Sequence, residues 1–250
     1  MSKIACLTLL LAGAITGLVF MAMPELDLRL AAKLRQPDVW SALRDIDPVF
    51  HFIRKMNSFV VVAIVSAAIA ALLSHVIPIP PVMSKRAAML IVATLIIGPG
   101  LFVGTFLKNV WARSRPDQIV EFGGSDPFTA WWNPAGRCLD DCSFTSSETA
   151  MAFALLAAAV TAKAQWRPAA VTLAIGFGLI VAAMRMAFGR HYPTDVIFSA
   201  LLSGFTVWLL HGCLYRWAWA HRMEARLRQA MPDWRAAARP ASALSRLPAR

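Results

Sequence analysis

The chain has 250 residues, 58% of them hydrophobic and only 16% charged, with a mean hydropathy of +0.57. That composition excludes an ordinary soluble domain and fits an all-α polytopic membrane protein. The net charge of +11 is concentrated in the tail, where eight Arg from Arg216 to Arg250 face only Glu224 and Asp233. Such a run beside apolar spans reads as a juxtamembrane patch on anionic lipid, and not as a nucleic-acid site.

Apolar stretches near the length a helix needs to cross the hydrocarbon core predict six transmembrane helices, at about 4–23, 58–78, 87–107, 147–163, 169–189 and 194–214. They form one domain, 1–215, followed by a basic cytoplasmic tail, 216–250. The first span follows Lys3 as a signal peptide would, but it is long for that role and lacks an Ala-x-Ala exit, so it is read as a retained helix. The segment 24–57 alternates apolar and charged residues and predicts one or two interfacial helices, with Trp40, Phe50 and Phe52 at headgroup depth. A structured segment packed over the outer helix ends is the alternative. PIPPV at 78–82 ends the second span, and IIGPG at 96–100 should kink the third.

The loop 108–147 is rich in turn formers and aromatics, including Phe128, Trp131 and Trp132, and is expected to be an ordered cover at the outer face that shapes lipid entry. The positive-inside rule puts the tail, Lys3, Lys85 with Arg86, and Lys163 with Arg167 in the cytoplasm. Six Lys/Arg in 24–57 run against that orientation, although five acids accompany them. Cys6 and Cys213 fall in apolar spans and read as buried small hydrophobes. Cys138 and Cys142 lie in the outer loop, where a disulfide fits an oxidising compartment better than zinc does.

Three polar clusters fall at the outer ends of the third, fourth and fifth spans. KNVWARSRP places Lys108 and Arg115 seven residues apart, two helical turns, so both can point one way. CSFTSSETA carries Ser146, Ser147 and Glu148, with Thr145 and Glu148 spaced as a capping box at a helix start. MRMAFGRHYPTDV places Arg185 late in an apolar span, then His191 and Asp195 four apart. Singly these have plain readings: snorkelling bases, a cap, an interfacial His, an Asp at a helix N-terminus. Together, three cations, a helix N-terminus and a His–Asp pair describe a site for an oxyanion such as phosphate.

The combination resembles the type 2 phosphatidic acid phosphatase (PAP2) family, across roughly 85–215. The family's first motif, Lys, six residues, Arg-Pro, is met by Lys108 and Arg115-Pro116. The third, Ser-Arg, five residues, His, three residues, Asp, is met by Arg185, His191 and Asp195, with Met184 in place of Ser. The second, Pro-Ser-Gly-His, is half met by Thr145, Ser146, Ser147 and Glu148. The resemblance implies a phosphatase of lipid phosphates in the inner membrane, working without a metal or other cofactor from the periplasmic face. By it His191 attacks phosphorus to form a phosphohistidine, and Asp195 orients His191. Lys108, Arg115, Arg185, Ser146 and the N–H of Ser147 hold the phosphoryl oxygens.

Glu148 stands where the family has the His that protonates the leaving oxygen. Three readings stay open. Glu148 is itself the acid, although three cations and a helix N-terminus favour its carboxylate. Or the leaving group is good enough to need little help, which points to lipid A 1-phosphate, or to a prenyl diphosphate such as undecaprenyl diphosphate, over phosphatidic acid. Or the protein is an impaired enzyme or a binder. Phosphatidylglycerol phosphate is a further candidate substrate, and transfer of the phosphoryl group to a lipid acceptor uses the same site. A transporter would more often show mid-membrane charges and repeat symmetry, which are not visible here.

Overall fold

A computed structural model describes residues 3–74, 80, 82–217 and 222. Its first unit covers Met1–Gly212 and a second covers Cys213–Arg250, of which 213–217 and 222 are described. Pro78, Ile79 and Pro81 of PIPPV, the Trp40 side chain and nearly all of the basic tail therefore lie outside the described residues.

Among the described residues, five helices are long and apolar enough to cross a membrane: α1 (Lys3–Ala22), α4 (Asp47–Leu73), α5 (Lys85–Trp111), α7 (Arg167–Ala187) and α8 (Pro193–Arg216). Between α1 and α4 lie α2 (Glu25–Leu34) and α3 (Pro37–Asp45). The expected fourth span is shorter than predicted. It is α6, Ser147–Val160, broken at Leu155. Its 14 residues rise about 21 Å against a hydrocarbon core of about 30 Å. The Ala-rich segment packs inside protein, against α5, α7 and α8. Ala150, Ala152, Phe153, Ala154 and Ala157 are all buried.

The exterior is apolar, with Leu7 and Leu11 on α1, Phe59 and Val62 on α4, Phe102 on α5 and Leu173 on α7 exposed, as suits a face turned to lipid. Small residues let the interior close. Phe153 of α6 lies so near Gly178 of α7 that an added Cβ would sit 2.7 Å from its ring, whereas Gly176, two residues earlier, has open space. Gly178→Ala is expected to cost about 1–3 kcal/mol through overpacking. Thermal unfolding in detergent checks this, with Gly176→Ala close to the unmodified protein.

Two expectations for 24–57 change. The second span starts at Asp47 rather than 58, with Pro48 in its first turn, so Phe50 and Phe52 belong to the long helix. Helix α2 packs over the helix ends, because Asp27 is buried and bonded to α8. IIGPG opens a stretch of wide π-type turns, Ile96–Leu107, which carry Pro99 without ending the helix. Cys6 and Cys213 are half-buried rather than buried.

The loop after α5 is tied down at both ends. Ala112 turns left-handed (φ 44°) and stops the helix, and its carbonyl accepts the Cys138 N–H at 3.0 Å. The Ser143 N–H donates to the Arg113 carbonyl at 2.7 Å. Trp131 packs on Phe198 (centroids 4.6 Å) and against Gly17 of α1, and its carbonyl accepts the Trp111 indole N–H. Phe128 meets Tyr192 edge-on. These aromatics clamp the loop to the bundle. The cavity of the site is lined without Phe128, Trp131 or Trp132, so the expected role in shaping lipid entry is not where the structure puts them. The sulfurs of Cys138 and Cys142 are joined, with Cα atoms 5.6 Å apart.

Candidate active site

The C-terminal ends of α5 and α7 and the N-terminal ends of α4 and α6 meet around a cavity of about 350 Å³, large enough for a phosphorylated headgroup. Lys108, Arg115, Ser147, Glu148, Arg185 and His191 all line it. Lys108 and Arg115 do not arrive by helical periodicity, since the helix ends at Trp111 and Ala112 reverses the chain. They converge nevertheless on Asp141, with Lys108 Nζ 2.8 Å from Oδ1 and Arg115 paired with Oδ2. Burial pushes the Asp141 carboxyl up, but Lys108 and Arg115 outweigh it and hold the group at about 2. A carboxylate thus occupies the two cations nearest the loop.

At the start of α6 the cap is Ser146, one residue later than the capping-box spacing suggested. Its Oγ accepts the Thr149 N–H at 3.4 Å and the Thr149 hydroxyl at 2.9 Å. Ser146 is fully buried and stands behind the cavity wall, so it serves the helix end that presents Ser147. Glu148 does not cap. Its Oε1 accepts from Arg54 Nε of α4 at 3.0 Å and pairs with Arg185 Nη1 at 3.2 Å.

His191 sits in the turn between α7 and α8, which Gly189 (φ 64°) makes possible. Its Nδ1 lies 2.8 Å from the Ser143 carbonyl, an acceptor only, so Nδ1 carries the proton. That leaves Nε2 with its lone pair, 3.4 Å from Arg185 Nη2. Asp195 Oδ2 is 3.7 Å from Nδ1, beyond hydrogen-bond reach. The expected direct orientation by Asp195 is therefore one step removed. Its Oδ2 accepts the Ser143 hydroxyl at 2.5 Å and the Tyr192 N–H at 2.8 Å, fixing the residue whose carbonyl holds the imidazole. Burial pushes the His191 imidazolium down to about 4, against the opposing pull of Asp195, and Arg185 and Arg115 add to the effect. The ring is neutral near pH 7, as a nucleophile must be. Ring signals of labelled histidine, assigned with His191→Ala, are expected to titrate with a midpoint near 4. A midpoint at the ordinary 6.5 contradicts this.

Behind the cavity lies a residue pair that the sequence reading passed over. Arg113 is completely buried. Its Nη1 donates to Asp195 Oδ1 at 2.7 Å and to Thr194 Oγ1 at 2.9 Å, its Nη2 to Asp27 Oδ2 at 2.8 Å, and its Nε to the Thr129 carbonyl at 2.8 Å. Its guanidinium lies 4.0 Å over the Tyr192 ring. Asp27 also takes the Thr194 hydroxyl at 2.6 Å. Burial pushes the Asp27 carboxyl up, and Arg113 is the first group opposing it. A second Arg inside KNVWARSRP was the available signal; nothing local marks Asp27, 86 residues away from its partner.

Residues 87–219 match the PAP2 superfamily. The chain belongs to that superfamily. Its curated relatives include proteins named lipid A 4'-phosphatase. That of Rhizobium leguminosarum is 38% identical over 122 residues, covering 48% of this chain and 52% of its own. That of Rhizobium etli is 37% identical over 118 residues, covering 44% and 46%. That of Francisella tularensis subsp. novicida is 26% identical over 199 residues, covering 79% and 90%. The chain thus spans about half the length of the two Rhizobium relatives. No solved structure matches it. All three names specify the 4' position, so the sequence expectation of a 1-phosphate finds no support among them. Asp27, Asp47, His51 and Arg54 lie before the matched region.

Proposed function

We propose that this chain is a membrane lipid phosphatase that removes the 4'-phosphate of lipid A through a phosphohistidine at His191. The observation that carries the reading is the anchored imidazole: Nδ1–H held by the Ser143 carbonyl, with the unprotonated Nε2 beside Arg185 on a cavity wall that also contains Lys108 and Arg115. The relatives' names favour the 4'-phosphate of lipid A. The entering phosphoryl group takes the place of Asp141 on Lys108 and Arg115, while Arg185 meets it beside Nε2. Nε2 forms the bond to phosphorus and the ester oxygen departs with the electron pair of its bond. Water then attacks phosphorus, the N–P bond breaks, and inorganic phosphate leaves. The charge that gathers on the oxygens is met by side-chain cations and N–H groups aimed in advance. The cavity opens toward the periplasm if Arg216 to Arg250 stay on the cytoplasmic side of the inner membrane.

One observation favours a second reading, the 1-phosphate. Glu148 is ion-paired with Arg54 and Arg185, which occupies it elsewhere and suits an anomeric leaving oxygen that departs with little help. Purified protein in detergent, given lipid A phosphorylated at both positions, discriminates by which phosphate is lost. Loss from the 4' position is expected, and it should persist with a divalent-metal chelator present. Release of neither phosphate, or activity only with added metal, overturns the proposal.

A further inference from the structure

Removing a 4'-phosphate leaves a secondary sugar alkoxide, which needs a proton, and the family position for its donor is occupied by Glu148. Three of the four acids on the cavity wall are paired with bases: Glu148 with Arg54 and Arg185, Asp141 with Lys108 and Arg115, Asp117 with Arg190 at 2.7 Å, and the fourth, Asp47, has no Arg or Lys partner among the described ion pairs. Among the described residues the wall contains two imidazoles, and His191 is the nucleophile of the proposed reaction. The other is His51. It belongs to a stripe, Asp47, Phe50, His51 and Arg54, at the spacing that puts residues on one helical face, and all four line the cavity. That end of α4 is held in place. Arg54 bonds Glu148, Asn57 Nδ2 donates to the Glu148 carbonyl at 3.2 Å, and Phe50 meets Phe188 edge-on at 4.8 Å. His51 Nε2 lies 3.4 Å from Asp47 Oδ2, and its side chain is 63% exposed, open to the cavity.

We propose that His51, paired with Asp47, donates the proton to the leaving oxygen, filling the role that Glu148 has vacated. The assignment rests on the phosphatase reading above. With Nε2–H directed to Asp47, Nδ1–H is the donor. When Nε2 of His191 bonds to phosphorus and the P–O bond breaks, the alkoxide takes this proton and leaves as the alcohol, and His51 becomes neutral. In the second step the attacking water gives its proton to His51 as its oxygen bonds to phosphorus and the N–P bond breaks. The cycle returns both imidazoles to their starting states and consumes one water. Imidazole suits the task because it gives up and regains a proton readily around neutrality. Arg54, three residues on, keeps Glu148 as an anchor for this helix end, which explains why a carboxylate is useful there.

The test is His51→Gln in the full-length protein in detergent, assayed on lipid A carrying a 4'-phosphate. The expected result is a fall in kcat of about 100-fold or more with KM nearly constant. Orthovanadate, a phosphate-shaped probe of Lys108, Arg115 and Arg185, should still protect the variant against thermal unfolding. A kcat within about threefold of the unmodified protein overturns the proposal. So does a fall in kcat accompanied by loss of vanadate protection, which marks a structural role. If the unmodified protein itself releases no phosphate, the phosphatase reading has failed first.

Discussion

His191→Ala is expected to lower phosphate release by at least ~10⁴-fold, the scale seen when a covalent nucleophile is removed. The size follows from the geometry. No other uncharged nitrogen among the described cavity residues stands beside an Arg guanidinium with its second nitrogen fixed by a carbonyl. The substitution should leave the fold intact, because His191 lies in the turn between α7 and α8 and bonds only the Ser143 carbonyl of the loop and the Arg185 side chain of the cavity wall. Phosphate release from lipid A and a thermal unfolding curve measure the two effects separately. A variant that keeps more than about a tenth of its activity would remove His191 from the reaction.

The second large effect concerns Arg113. Arg113→Ala leaves the Asp27 and Asp195 carboxylates buried with their shared cation gone, and breaking such a buried arrangement costs about 3–5 kcal/mol. Arg113→Lys keeps the charge but lacks the planar fork that reaches Asp195 through Nη1 and Asp27 through Nη2, so it should fall between. Activity is expected to drop with stability, since Asp195 holds Ser143 and Ser143 holds His191. Thermal unfolding in detergent checks the first effect and lipid A turnover the second. An Arg113→Ala protein that unfolds at the unmodified temperature contradicts the role assigned to the buried ion pairs.

The parts of this site that were legible beforehand are those set by local chain geometry. Arg185, His191 and Asp195 share one helix end, one turn and one helix start, so their spacing survives as a readable pattern. Lys108 and Arg115 meet at Asp141, but not through the helical spacing of the sequence, because the left-handed turn at Ala112 carries no strong local signal. What could not be read depends on contacts between distant segments. Arg54 meets Glu148 across 94 residues, and the stripe from Asp47 to Arg54 looked like one face of a surface helix because its partner is a cavity. An amphipathic face reports that a polar environment lies on one side, without saying whether it is water, headgroups or an active site.

The covalent step is the central claim, and it can be observed directly. Purified protein in detergent is mixed with lipid A bearing a labelled 4'-phosphate and quenched in alkali, in which phosphohistidine survives. Its peptides are then mapped by mass spectrometry. The expected result is a phosphoryl group on His191 that appears on mixing and decays as inorganic phosphate accumulates. Turnover of the lipid with no phosphoryl group on the protein, or with one on a residue other than His191, contradicts it.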